Sequence, residues 1–241
     1  MGRPHLASRV LPGDRRTKGP SDFSAMPSPI LIVSTNLAVP WLAGELRGFV
    51  QGCTRAAVVT NAEPRRPATG GDTRLALDAL RQAGVAEVGL RDLLDDELPR
   101  PETCDCVCLA GGNPFYLLHC LRETGADDAL EELVASGRPV IAAGLAVCVL
   151  GRTVAHLREL GPCVPTMGCR DIVGLGLLPF SVLPSANRWR TSRRDFAATL
   201  EVAETRYGRL VTLDDDEVLR AAPGSEMMQR VRRDSAASGR N

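Results

Sequence analysis

Short apolar runs recur along this chain, set apart by segments with helical spacing. Continuous apolar stretches at Ile30 to Ser34, Ala56 to Thr60, Ala86 to Leu90, Cys106 to Ala110 and Pro139 to Ala142 have the length and character of buried strands. Between them, Trp41 to Gln51, Thr73 to Gln82, Pro114 to Arg122 and Asp127 to Ser136 place apolar residues at three- and four-residue spacing, and Gly84 closes the second of these helices. Strands that are apolar on both faces and joined through helices form parallel sheets covered on both sides. The pattern therefore predicts a three-layer α/β sandwich around a mostly parallel sheet.

Beyond about residue 150 the periodicity weakens. Ile172 to Leu183 is apolar and punctuated by glycine, and Ser192 to Glu204 reads as a helix opened by a capping hydroxyl. Arg209 to Thr212 and Glu217 to Ala221 read as a terminal hairpin around Asp214 to Asp216. Residues 1–25, rich in Arg, Pro, Gly and Ser, cannot bury enough apolar surface to offset ordering and are expected to be disordered. Met26, directly before Pro27-Ser28-Pro29 and the first strand, reads as a translational start. Residues 26–222 form one expected domain, and residues 223–241 a polar tail expected to fray.

Composition narrows the functional classes. At 241 residues and 44% hydrophobic content the chain can bury one full core. Twenty-nine basic residues balance 29 acidic ones, so no global field favours nucleic acid or an anionic membrane as partner. No apolar run approaches the ~20 residues that span a bilayer, and a soluble, cytoplasmic protein is expected. The eight cysteines fall mostly inside apolar segments and read as reduced core residues. Cys104, Cys106 and Cys108 alternate, which on one strand would put their thiols on a single face roughly 6 to 7 Å apart. With no further ligand beside them, no metal is expected.

Candidate chemistry concentrates between Cys106 and Gly151. Gly111-Gly112-Asn113-Pro114 ends a strand and opens a helix, a setting in which backbone N–H groups meet a ligand and favour negative charge. A second strand ends at Ala142-Ala143-Gly144-Leu145-Ala146. The run Leu109 to Leu118, then Leu121 to Gly125, then Gly137-Arg138-Pro139-Val140-Ile141, resembles the dipeptidase E and cyanophycinase family of serine peptidases over most of residues 28 to 222. That resemblance implies a class I glutamine amidotransferase-like (flavodoxin-like) fold, hydrolysis of small peptides with acidic residues, and no cofactor. It also implies that the amides of Gly112 and Leu145 form an oxyanion hole, with Gly111 and Asn113 completing the turn.

The catalytic side chains depart from the family pattern. Where the family carries Gly-x-Ser-Ala-Gly, a tight elbow that lifts a serine above the sheet, alignment places Ala142, Gly144 and Ala146 on the first glycine, the serine and the second glycine. The family's Pro-His base follows a segment resembling Gly174 to Phe180 and Val182 to Pro184, but Ser185 stands there. A hydroxyl cannot accept a proton near neutral pH as imidazole does.

Other groups offer weak substitutes. Glu159 is a candidate third acid. Cys148, one turn beyond Gly144, reads as a core thiol; His119 and His156 read as ordinary helix and polar-segment residues; Ser181 reads as bonded to backbone. Arg188 and Arg190, beside Trp189, Arg193 and Arg194, could bind a carboxylate bidentately. The expected function is a catalytically degenerate serine-hydrolase homologue binding a small acidic peptide or carboxylate. The alternatives are an active peptidase with a non-standard nucleophile, or a subunit pairing with a second copy or an active homologue.

Overall fold

The computed structural model describes residues 30–65, 69–161, 169 and 172–233. The expected disorder over 1–25 and the start at Met26 concern positions outside these. Among the described residues nine strands run in chain order: β1 (Ile30–Val33), β2 (Arg55–Val59), β3 (Glu87–Arg91), β4 (Cys106–Leu109), β5 (Val140–Ala143), β6 (Ser181–Leu183), β7 (Leu210–Thr212), β8 (Glu217–Ala221) and β9 (Met228–Arg232). Seven form one sheet in the order β3-β2-β4-β5-β1-β8-β9, and β6 and β7 pair in parallel in a second, small sheet. The first five are mutually parallel, while β8 and β9 add an antiparallel edge.

The strand pleat divides the core in two. Ile30, Ile32, Val59, Val107, Leu109, Val140 and Ala142 face one side, and Leu31, Val33, Val58, Cys106, Cys108, Ile141 and Ala143 the other. Both sides are covered, because helices α1 (Ala43–Phe49) and α2 (Gly71–Gln82) pack on the second face. Helices α3 (Pro114–Glu123) and α4 (Ala126–Ala135), with a 3-10 helix at Gly144–Leu150, pack on the first. Three-layer α/β architecture with a mostly parallel sheet is thus what the apolar runs encode. No helix among the described residues is long and apolar enough to cross a membrane.

Chain direction creates a crevice. Parallel neighbours β1 and β5 leave the sheet toward opposite faces, β1 into α1 and β5 into the 3-10 helix. Such a switch point opens a gap at the carboxyl ends of the strands.

Four expectations are corrected. Arg209–Thr212 and Glu217–Ala221 make no hairpin: β7 pairs with β6, and β8 crosses to β1. Residues 228–232 do not fray but extend the main sheet as β9, where a ladder to β8 and ion pairs from Arg230 and Arg232 to Glu217 replace apolar burial. The segment before Ser192 is helical: Ala186–Ser192 is α6, following the four-residue helix α5 (Leu157–Leu160), and Phe196–Tyr207 is α7. Cys104 lies ahead of β4 and packs in the opposite half of the core from Cys106 and Cys108, so the three thiols do not share a face. Among the described residues no cluster of His, Cys, Asp and Glu is arranged to hold a metal.

Candidate active-site cleft

A cleft of about 490 Å3 lies at the carboxyl ends of the parallel strands, over the β1–β5 switch point. Ser34, Thr35 and Asn36 enter it from the end of β1, Gly112 from the turn after β4, and Gly144 and Leu145 from the turn after β5. Pro184, Ser185, Arg188 and Trp189 form another wall, and Asp72 enters from the first turn of α2. Four segments far apart in sequence thus meet because their strands end together.

The turn after β5 retains an elbow. Gly144 has φ +55°, a left-handed backbone that costs a residue with a β-carbon roughly 1–2 kcal/mol. Its N–H donates to Thr35 O at 2.6 Å, pinning the elbow to β1. A β-carbon built at Gly144 would find its nearest neighbours at 3.6 Å (Gly111 Cα) and 3.8 Å (Thr35 O), so space for a side chain stands open. The turn after β4 is tighter. Gly112 has φ +140°, and a β-carbon there would overlap the Ala62 carbonyl; Asn113 N donates to that same oxygen at 2.7 Å.

Among the described residues, neither Gly112 nor Leu145 donates its N–H to a protein acceptor. Two unused main-chain donors thus belong to residues lining one cleft, a chemistry suited to an oxygen carrying negative charge. Gly111 stands behind them, and Asn113 serves as helix cap: its Oδ1 accepts from Phe115 N at 3.0 Å and Tyr116 N at 3.3 Å.

On the opposite end of the sequence motif, Ser185 is the sole described non-glycine residue with positive φ, at 56°. Its N–H donates to Ser34 Oγ at 2.8 Å, and Ser34 Oγ in turn donates to Leu213 O at 3.2 Å. Asp215 reaches this position from the β7–β8 turn. Burial works to raise its pKa, but hydrogen bonds from Ser185, Arg188 and Asn187 outweigh burial and hold it below the ordinary carboxylate range. Arg188 Nε donates to Asp215 Oδ2 at 2.5 Å, so this cation is shared between the cleft and an internal partner. Arg190 does not line the cleft; its Nη2 donates to both carboxylate oxygens of Asp214, at 2.6 and 2.7 Å.

The remaining candidates are structural. Glu159 accepts from Tyr207 Oη at 3.0 Å and pairs with Arg206, tying α5 to α7 away from the cleft. His156 is fully buried rather than in a polar segment; its Nε2 donates to Val182 O at 3.0 Å, and burial lowers its pKa to about 4. Cys148 is buried, with Sγ donating to Val182 O at 3.2 Å. His119 lies on the surface of α3 facing Glu123 at 3.9 Å, and buried Ser181 Oγ accepts from Thr153 N at 3.3 Å. Asp72 and Asp215 were not legible as site residues: one reads as a first-turn helix acid, the other as part of an acidic turn.

The chain is similar to known proteins in sequence and in fold. The chain resembles peptidase E of Streptomyces coelicolor at 30% identity over 106 residues, 44% of this chain and 42% of that protein. It resembles peptidase E of Nostoc sp. at 30% over 83 residues, 34% of this chain and 33% of that protein. An uncharacterized peptidase of Listeria monocytogenes is 29% identical over 83 residues, 34% of this chain and 40% of that protein. The matched segments thus span less than half of these three relatives.

In fold, a crystal structure of a Listeria monocytogenes protein assigned as a peptidase E superposes with TM-score 0.65 at 20% identity, covering 85% of this chain and 98% of that one. A peptidase from an acI-B1 actinobacterium superposes with TM-score 0.60 at 18% identity, covering 85% and 87%. Residues 72–225, which carry both turns, the cleft wall around Ser185 and the acidic turn, match Peptidase family S51. On that match, extending over well over half of its length, the chain belongs to the S51, or peptidase E, family.

Proposed function

We propose that this chain is a peptidase E-like protein that does not carry out serine hydrolysis and that uses its cleft to bind a small acidic peptide or another carboxylate. The observation that carries this reading is the pair of unused N–H donors at Gly112 and Leu145 beside an elbow with no side chain. Serine-type acyl transfer needs a nucleophile and a base within hydrogen-bond reach of it. At the elbow there is no hydroxyl, and among the described residues no histidine lines the cleft. The donors, by contrast, are main-chain atoms and persist whatever side chains are lost. Arg188, 68% exposed at its side chain, adds a positive charge at the rim. Its partner Asp215 takes one N–H and leaves the outer guanidinium nitrogens for a ligand.

The test is a thermal-shift series with α-aspartyl dipeptides, run beside a fluorophosphonate probe and a dipeptide-hydrolysis assay. Stabilisation by the dipeptides with neither turnover nor covalent labelling is expected. A flat thermal response across the series would overturn the binding reading, and labelling at the elbow would overturn the loss of catalysis.

A further inference from the structure

One group in the cleft does not fit a plain anion site. Asp72 places a half-buried carboxylate beside the turn glycines: its Oδ2 lies 2.5 Å from where a β-carbon of Gly111 would be. A β-carbon at Gly144 would lie 3.6 Å from the Cα of that same glycine. Asp72 and the vacant nucleophile space therefore both adjoin one residue. Among the described residues, no hydrogen bond or ion pair reaches the Asp72 carboxylate, and desolvation alone acts on it, raising its pKa.

A desolvated carboxylate with no compensating partner is unfavourable for the fold. The ordinary explanation would be an acid placed to meet the positive end of α2. Position in the first turn accounts for its charge, but the capping hydrogen bond at this end comes from Glu63, whose Oε1 accepts from Asp72 N at 3.2 Å, while the Asp72 side chain makes no cap. Gly111 adds to this: its missing side chain is what makes room for the carboxylate. Such a group beside donors that seek negative charge matches a ligand bearing both signs on neighbouring atoms. In an α-amino acid or a peptide with a free N-terminus, the ammonium sits on the carbon next to the carbonyl.

We propose that Asp72 recognises a protonated amine, so that the cleft selects α-amino ligands over amine-free carboxylates. This inference rests on the binding reading above and adds the chemical class of the ligand. Asp72 is a specificity residue here, holding the ammonium while the amides of Gly112 and Leu145 take the adjoining carbonyl or carboxylate oxygen.

Calorimetry with α-aspartylalanine and with succinylalanine, which differs from it only by lacking the amine, tests the proposal on the full chain. Wild-type protein is expected to bind the amine form at least about tenfold more tightly, the scale of one part-buried charge pair. In Asp72→Asn that ratio should fall to about one, while the unliganded melting temperature stays equal or rises because an uncompensated charge has gone. Equal binding of the two compounds by the wild type, or an unchanged ratio in the variant, would overturn the amine inference and leave the binding reading standing. Absence of binding by both compounds would overturn both. A variant that melts lower than wild type would show that the carboxylate serves the fold, and would also overturn the assignment.

Discussion

At the level of single residues, this protein separates the parts of a hydrolytic site that belong to the main chain from those that belong to side chains. The elbow at Gly144, with φ +55° and room for a β-carbon in ordinary contact, is main chain and is present; a side chain at that position is absent. Ser185 shows the same division, for its left-handed backbone stands beside the Asp215 carboxylate without an imidazole between them. Gly144→Ser is therefore expected to fold, losing roughly 1–2 kcal/mol by chemical denaturation for a β-carbon at positive φ. It should remain inert to a fluorophosphonate, because among the described residues no histidine lines the cleft to serve as its base. Adding Ser185→His places an imidazole next to an ionised acid, the arrangement that orients a base toward a serine. Labelling at residue 144 is expected in the double variant, and labelling of Gly144→Ser alone would show that another group supplies the base.

Among the elements, the strands that make the inner sheet were readable because burial on both faces leaves an unbroken apolar run, as in Ile30–Val33 and Cys106–Leu109. What escaped is held by contacts that leave no period. Helix α6 is rich in Arg and carries one aromatic; it is fixed by Trp189 Nε1 donating to Pro184 O at 3.1 Å and by the pairs from Arg188 and Arg190 to the acidic turn. Strand β9 looks polar because it is the sheet's outer edge, exposed over most of its length. The false hairpin arose because two short strands around Asp214 to Asp216 fit a local connection, whereas pairing was decided by the distant strands β6 and β1. Of the cleft, Gly112, Gly144, Leu145 and Ser185 were legible through motif resemblance and Arg188 through the basic cluster around Trp189; Asp72 and Asp215 carry no local signal and were assembled by topology.

The contribution of β9 can be measured. Glu217 is 6% exposed at its side chain and accepts from Arg230 at 3.1 Å, with Arg232 at 3.5 Å. Arg230→Ala should cost about 2 kcal/mol in denaturant unfolding, less than a fully orphaned buried carboxylate because Arg232 remains. A change within 0.5 kcal/mol, the range of ordinary surface substitutions, would mean that the edge strand is marginal to stability.

For the molecule as a whole, the buried histidine sets an acid limit on stability. His156 has its pKa lowered by burial to about 4, against an ordinary value near 6.5. Below the ordinary value the unfolded chain takes up a proton that the folded chain refuses, so stability falls as pH drops from about 6.5 toward 4 and the loss levels off beneath that. The size follows from the gap between the two values, roughly 3 kcal/mol. Asp72, whose pKa is raised by desolvation, acts in the opposite sense, gaining its proton more readily when folded. Unfolding measured from pH 4 to 7 in wild type and in His156→Gln isolates the histidine: the stability difference between them should be constant above about pH 6.5 and move against wild type by roughly 3 kcal/mol as pH falls to 4, and a parallel pair of curves would refute the assignment. On the binding proposed for the cleft, recognition would run through peptide N–H groups at Gly112 and Leu145 rather than through side chains. Such donors carry no side-chain signature of their own, although the turn that presents the Gly112 amide requires a glycine, since a β-carbon there would overlap the Ala62 carbonyl. On that proposal the atoms that bind are not the atoms that would react, so the loss of one set leaves the other in place.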